Sequence, residues 1–115
     1  MGTGVPSAIG AALSNPGAPV VTLTGDGGLM MCIHELHIAV AEGISIVVVV
    51  FKYEWANHSI DFVTVAEGMG MDATRADTSE KIREALSHAL ASKCPSLVEV
   101  RTDPDEPQAS EWMRK

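Results

Sequence analysis

Apolar positions along the chain fall into two alternating patterns. Val20 to Leu23 is a short apolar run, and Ile44 to Phe51 is β-branched almost throughout, with no alternation of polar residues. Runs of that kind mark strands covered on both faces, as in the centre of a parallel sheet. Leu97 to Val100 reads as a last strand, and Asp72 to Arg75 as a short one. Between them the spacing becomes helical. Pro6 to Leu13 is a short helix with proline in its first turn, ended by Asn15-Pro16-Gly17. Met30, Ile33, Leu36, His37 and Val40 recur on one helix face, and Gly43 stops the pattern. Phe62, Val63, Val65 and Ala66 predict another helix, closed by Gly68 and Gly70. Asp77 or Thr78 caps a final helix whose apolar face is Ile82, Ala85, Leu86, Ala89 and Leu90. Strands and helices alternating at this spacing predict a doubly wound α/β fold, with a mainly parallel sheet of about four strands flanked by helices. Residues 1–104 make one domain, and 105–115 read as a polar tail.

Charge and composition narrow the classes of partner. The 115 residues carry a net charge of -7, the wrong sign for nucleic acid or an anionic membrane surface. The longest strongly apolar run, Ile44 to Phe51, is far short of the ~18 residues a membrane span needs. The start, Met1-Gly2-Thr3-Gly4, lacks the regions of a signal peptide. Cys32 and Cys94 match no metal-ligand spacing and read as free thiols of a reduced, cytoplasmic compartment.

Two segments leave predicted strands at the edge where such sheets bind ligands: Gly25-Asp26-Gly27-Gly28 and Lys52-Tyr53-Glu54-Trp55-Ala56-Asn57. Glycines let backbone approach a bulky anion closely. An aspartate beside an anion is repulsive unless a cation lies between them, and Mg2+ held by one carboxylate and phosphate oxygens resolves the conflict. A plain Asp-Gly turn closing a strand–helix junction is the alternative reading of the same residues.

Gly25-Asp26-Gly27 followed by the polar exit of a buried strand resembles the cofactor motif of thiamine diphosphate enzymes. Met1-Gly2-Thr3-Gly4-Val5-Pro6-Ser7-Ala8-Ile9-Gly10, Glu35-Leu36, Asp61-Phe62-Val63 with Ala66-Glu67 and Gly70, and Pro95-Ser96-Leu97-Val98-Glu99-Val100 are similar to further segments of that family, in the same order. The whole series looks most like the C-terminal, diphosphate-binding domain of the acetolactate synthase, pyruvate oxidase and 2-oxo acid decarboxylase group. The resemblance implies thiamine diphosphate and Mg2+ as cofactors. It implies cofactor contacts at Gly25, Asp26, Gly27, Gly28, Leu29 and Met30, and metal ligation by Asp26. The family's asparagines would fall at Lys52 and Tyr53, which leaves Asn57 as the nearby amide for the metal. The stretch from there to Asp61 is shorter than the family's, and Met1 coincides with an internal methionine, so the chain resembles a piece of a longer enzyme. In that family a glutamate on a separate pyrimidine-binding domain activates the cofactor. The resemblance therefore implies no catalytic residue here, and turnover on a 2-oxo acid only with a partner chain carrying that domain, or in a homo-oligomer.

Weaker signals are weighed against ordinary structure. His34 and His37 lack the spacing of a zinc helix and read as packed or solvated residues. Met30 and Met31 fit a cofactor pocket or core filling equally. Tyr53 and Trp55 could stack on a ring or face a partner, and His58 and His88 have no companion for nucleophilic catalysis. A non-catalytic remnant or assembly module of the same fold is the competing function, and an unrelated phosphate-binding α/β domain a more distant one.

Overall fold

The computed structural model describes residues 1–53, 59–103 and 105. The elements run α1 (Gly4–Ser14), β1 (Val21–Gly25), α2 (Asp26–Met30), α3 (Glu35–Ala41), β2 (Val47–Lys52), α4 (Phe62–Gly68), β3 (Asp72–Ala76), α5 (Ser79–Ser92) and β4 (Ser96–Arg101). The four strands form one parallel sheet in the order β1-β2-β4-β3. The chain steps from β1 to β2 and on to β3, then reverses to insert β4 between β2 and β3. Right-handed crossovers place the helix of a reversed step on the opposite face of the sheet. Accordingly α5, which links β3 to β4, packs on one face through Ile82, Ala85, Leu86 and Ala89 against Val47, Val49, Val98 and Val100. The other face packs Val48, Val50 and Leu97 against Val5 and Ile9 of α1, Leu29, Leu36, and Phe62 and Ala66 of α4. This two-sided burial explains why β2 carries no polar alternation.

The expected elements are present, with two differences. The helix expected from Met30 to Val40 is broken: α2 ends at Met30, and α3 starts afresh at Glu35. Backbone bonds Cys32 N to Leu29 O and Glu35 N to Cys32 O carry the chain through the break as tight turns, which keep Leu29 and Leu36 on the core side. Periodicity cannot separate one helix from two that share an apolar side. The central strand begins at Val47 rather than Ile44, because Ile44 N closes onto Ala39 O at the end of α3. Of the two proposed caps of α5, Thr78 is the one used, its hydroxyl accepting from Lys81 N at 3.2 Å.

The cover of the sheet is uneven. β1 lies at an edge, and its Val21 and Leu23 share the α5 face with Val47 and Val49. They are nevertheless 44% and 65% exposed. No described helix is long and apolar enough to cross a membrane.

One junction depends on a single glycine. Gly70 ends α4 at φ +94°, and a Cβ there would meet Val40 Cγ1 at 3.0 Å. Gly70→Ala is expected to destabilise the fold by about 1–3 kcal/mol. Urea denaturation measures it, with Gly10→Ala, an α1 site facing open space where alanine is expected to stabilise by about 0.5–1 kcal/mol, as the contrasting comparison.

Candidate functional site

β1 and β2 lie side by side in register, with Gly25 opposite Phe51, so both exit at the same edge of the sheet. Asp26 is the first residue after β1 and lies beside the end of β2. Its carboxylate closes that junction: Oδ1 accepts Gly27 N–H at 2.7 Å, and Oδ2 accepts Tyr53 N–H at 3.1 Å. Each oxygen keeps further lone-pair capacity, which a hard cation can use. A cavity of about 140 Å³ opens here, lined by Asp26, Gly27, Met30, Lys52, Tyr53, Ser59, Ile60 and Phe62. A larger hollow of about 680 Å³ lies at the opposite end of the strands, among Pro16, Pro19, Ile44, Leu90 and their neighbours. Glu42 and Lys93 are its charged lining residues. The smaller cavity is the one at the C-terminal ends of two adjacent parallel strands, and Asp26 and Lys52 are its charged lining residues.

The glycines around Asp26 have different reasons to be glycine. A Cβ on Gly28 would come within 2.8 Å of Thr24 Oγ1, so close packing of α2 on β1 requires it. At Gly25 and Gly27 a Cβ would meet nothing within 4 Å, and neither has a positive φ. The fold does not demand glycine at these two positions, which leaves a bare cradle beside the carboxylate.

Of the residues expected at the site, Asp26, Gly27 and Met30 line the cavity, and Gly25 and Gly28 flank it along the chain. Leu29 is fully buried in the core and does not line the cavity. Met31 stays out of the lining and is exposed. Asn57, the expected second metal ligand, lies outside the described residues, as do Trp55 and His58. His34 is an exposed residue 3.3 Å from Glu35, and His88 pairs with Asp72 at 3.0 Å at the start of β3. Among the described residues no three His, Cys, Asp or Glu side chains converge as a metal site.

Sequence reading missed the charge network behind the cavity. Glu99, in the middle of β4, is fully buried. Its Oε1 accepts Arg75 Nε at 2.7 Å, and its Oε2 accepts the Phe62 N–H at 3.1 Å. Lys52 Nζ lies 3.8 Å from Oε1, with its side chain 7% exposed. Arg75 also bonds Asp61 Oδ1 at 2.8 Å, and Asp61 caps α4 by accepting Thr64 N–H at 3.0 Å. The cap bond first, and then the Arg75 guanidinium, hold the Asp61 carboxyl below the ordinary range, while its partners raise Arg75. A glutamate and an arginine inside otherwise strand-like runs were the signals that could have revealed the network.

Comparison with known proteins follows the same geometry. The family model described as "Thiamine pyrophosphate enzyme, C-terminal TPP binding domain" matches residues 1–56 and 52–100. A probable acetolactate synthase large subunit of Methanocaldococcus jannaschii is 35% identical over 126 aligned positions, covering 92% of this chain and 21% of that protein. Benzoylformate decarboxylase of Pseudomonas aeruginosa is 32% identical, over 93% of this chain and 24% of its own length. The solved structure of the Rhodococcus jostii RHA1 thiamine diphosphate-dependent 4-hydroxybenzoylformate decarboxylase superposes with a TM-score of 0.82 at 33% identity, covering 93% of this chain and 24% of that one. The chain thus spans about a fifth to a quarter of the length of these relatives. Alignments longer than the 115-residue chain mean that the relatives carry residues it lacks, and the two family matches overlap at residues 52–56.

The Asp61 cap gives a pH signature. Because its folded pKa is depressed, its contribution is fully present above the unfolded value and is lost as pH falls through the folded one. Asp61→Asn is expected to flatten the loss of stability below about pH 4 relative to the parent. Urea midpoints between pH 3 and pH 7 test this, and parallel curves for the two proteins contradict it.

Proposed function

The chain belongs to the thiamine pyrophosphate enzymes, as their C-terminal TPP-binding domain, and on that premise we propose that it grips the diphosphate of thiamine diphosphate through Mg2+ held by Asp26. The observation that carries the reading is the Asp26 carboxylate fixed at the paired ends of β1 and β2, beside a cradle where neither Gly25 nor Gly27 is required by the fold. The net charge of -7 gives the metal a role, since a diphosphate approaching Asp26 needs an intervening cation. Gly25, Asp26, Gly27, Gly28, Leu29 and Met30 form the cofactor segment in this proposal. Asp26 is a metal ligand in this proposal, and Asn57 supplies a second through its amide oxygen. The bound cofactor contributes carbanion stabilisation to reactions of 2-oxo acids. This chain's part is to hold and orient it.

No described residue is assigned a catalytic proton transfer, and binding by itself accelerates nothing. Turnover therefore requires a pyrimidine-binding domain, on a partner chain or in an assembly of copies. Two observations support this part: the uncovered apolar face of β1 at Val21 and Leu23, and relatives four to five times longer. Residues 1–104 constitute the binding domain in this reading. Two free cysteines are consistent with a reducing, cytoplasmic setting.

A non-catalytic assembly module of the same fold is the second reading. Lys52 and Tyr53 favour it, because they stand where the resembled family has asparagines. Calorimetric titration with thiamine diphosphate and Mg2+ separates the two. The cofactor reading expects saturable binding that falls by about tenfold or more in Asp26→Ala and on chelation of the metal. A chain that gives no binding heat, yet forms stable oligomers, is the assembly module instead.

A further inference from the structure

We propose that Lys52 is an anion-binding residue of the Asp26 cavity, an ammonium that donates directly to the phosphate oxygens of a diphosphate ligand. The inference rests on the preceding reading for the ligand's identity but on different atoms. Lys52 ends β2 one residue before Tyr53, and so lies beside Asp26 across the β1–β2 junction. It is 94% buried by residue yet lines the cavity with Asp26 and Gly27. Among the described residues no water-excluded side-chain nitrogen lacks a hydrogen-bond partner, so the Lys52 ammonium, which bonds none, keeps contact with solvent that a ligand in the cavity can replace.

Glu99 does not use the Lys52 donors. At 3.8 Å, Lys52 Nζ is beyond hydrogen-bond distance of Glu99 Oε1, which already accepts Arg75 Nε at 2.7 Å. The other oxygen takes the Phe62 N–H. Glu99 therefore supports the charge on Lys52 without consuming its three N–H donors, and among the described residues no hydrogen bond from Nζ is formed. A lysine serving only to neutralise Glu99 would close on it. The backbone of Lys52 is fixed too, because its carbonyl accepts both Thr102 N–H at 3.2 Å and Thr102 Oγ1 at 2.7 Å. The result is a positioned cation next to a carboxylate that can hold a second one. A diphosphate, with oxygens enough for both, is the ligand class that satisfies the pair.

Inorganic pyrophosphate with Mg2+, titrated calorimetrically into the whole chain, tests this. Lys52→Met is expected to weaken binding by about tenfold or more, while Lys52→Arg stays close to the parent. Lys81→Met, which removes an exposed lysine paired with Asp77, should change nothing. Equal or tighter pyrophosphate binding by folded Lys52→Met overturns the proposal, as does a parent chain that binds no pyrophosphate. Should Lys52→Met not fold, NMR of isotope-labelled lysine in the parent decides. The Lys52 side-chain signal must shift with pyrophosphate while that of Lys81 does not, and an unmoved Lys52 signal refutes the assignment. Thiamine diphosphate in a parallel titration keeps the two claims apart. Binding that Lys52→Met leaves intact removes the Lys52 claim alone, whereas pyrophosphate binding with no uptake of thiamine diphosphate removes the cofactor claim alone.

Discussion

The buried carboxylate of Glu99 is the constraint around which the functional edge of this domain is arranged. It lies in the strand between β2 and β3 and on the face that α4 covers. A charge fully removed from water requires charged and hydrogen-bonding partners, and each partner here belongs to a different element. Arg75 comes from β3, the Phe62 N–H from the first turn of α4, and Lys52 from the end of β2. Satisfying one carboxylate therefore fixes where α4 begins, and leaves its charge 3.8 Å from the Lys52 ammonium. The cavity lined by Asp26, Lys52 and Phe62 follows from that arrangement.

The same edge shows how charge and shape divide the work. Asp26 is held by two backbone N–H groups from opposite sides of the β1–β2 junction, so its carboxylate is positioned before any ligand arrives. Positioned groups add affinity because less order is lost on binding. The opposite edge of the sheet has the larger hollow, where Glu42 and Lys93 are the charged lining residues. The exposed apolar side of β1 marks where the domain, taken by itself, leaves its sheet uncovered.

Much of this was legible in the chain. The strand at Ile44 to Phe51 announced a sheet buried on both faces, and Gly25-Asp26-Gly27 marked the junction where β1 ends beside β2, because burial and tight turns leave direct marks on residue type. The break between α2 and α3 was hidden, since Leu29, Leu36 and Ala39 keep one side apolar across it. The role of Glu99 was hidden for a different reason. Its partners at positions 52, 62 and 75 are distant in sequence, and only the insertion of β4 between β2 and β3 brings them together. Met30 could be read as core or as pocket from its type alone, and the structure places it at the cavity.

The central claim is that a metal–diphosphate pair is held where β1 and β2 end. Paramagnetic broadening by Mn2+ in the presence of inorganic pyrophosphate tests it most directly, read residue by residue from amide NMR signals. The account predicts selective loss of the Gly27 and Tyr53 amide signals, whose N–H groups contact the Asp26 carboxylate, with the Ala85 and Ala89 signals on the opposite face of the sheet retained. Broadening centred elsewhere, or spread evenly over the acidic surface, would contradict it.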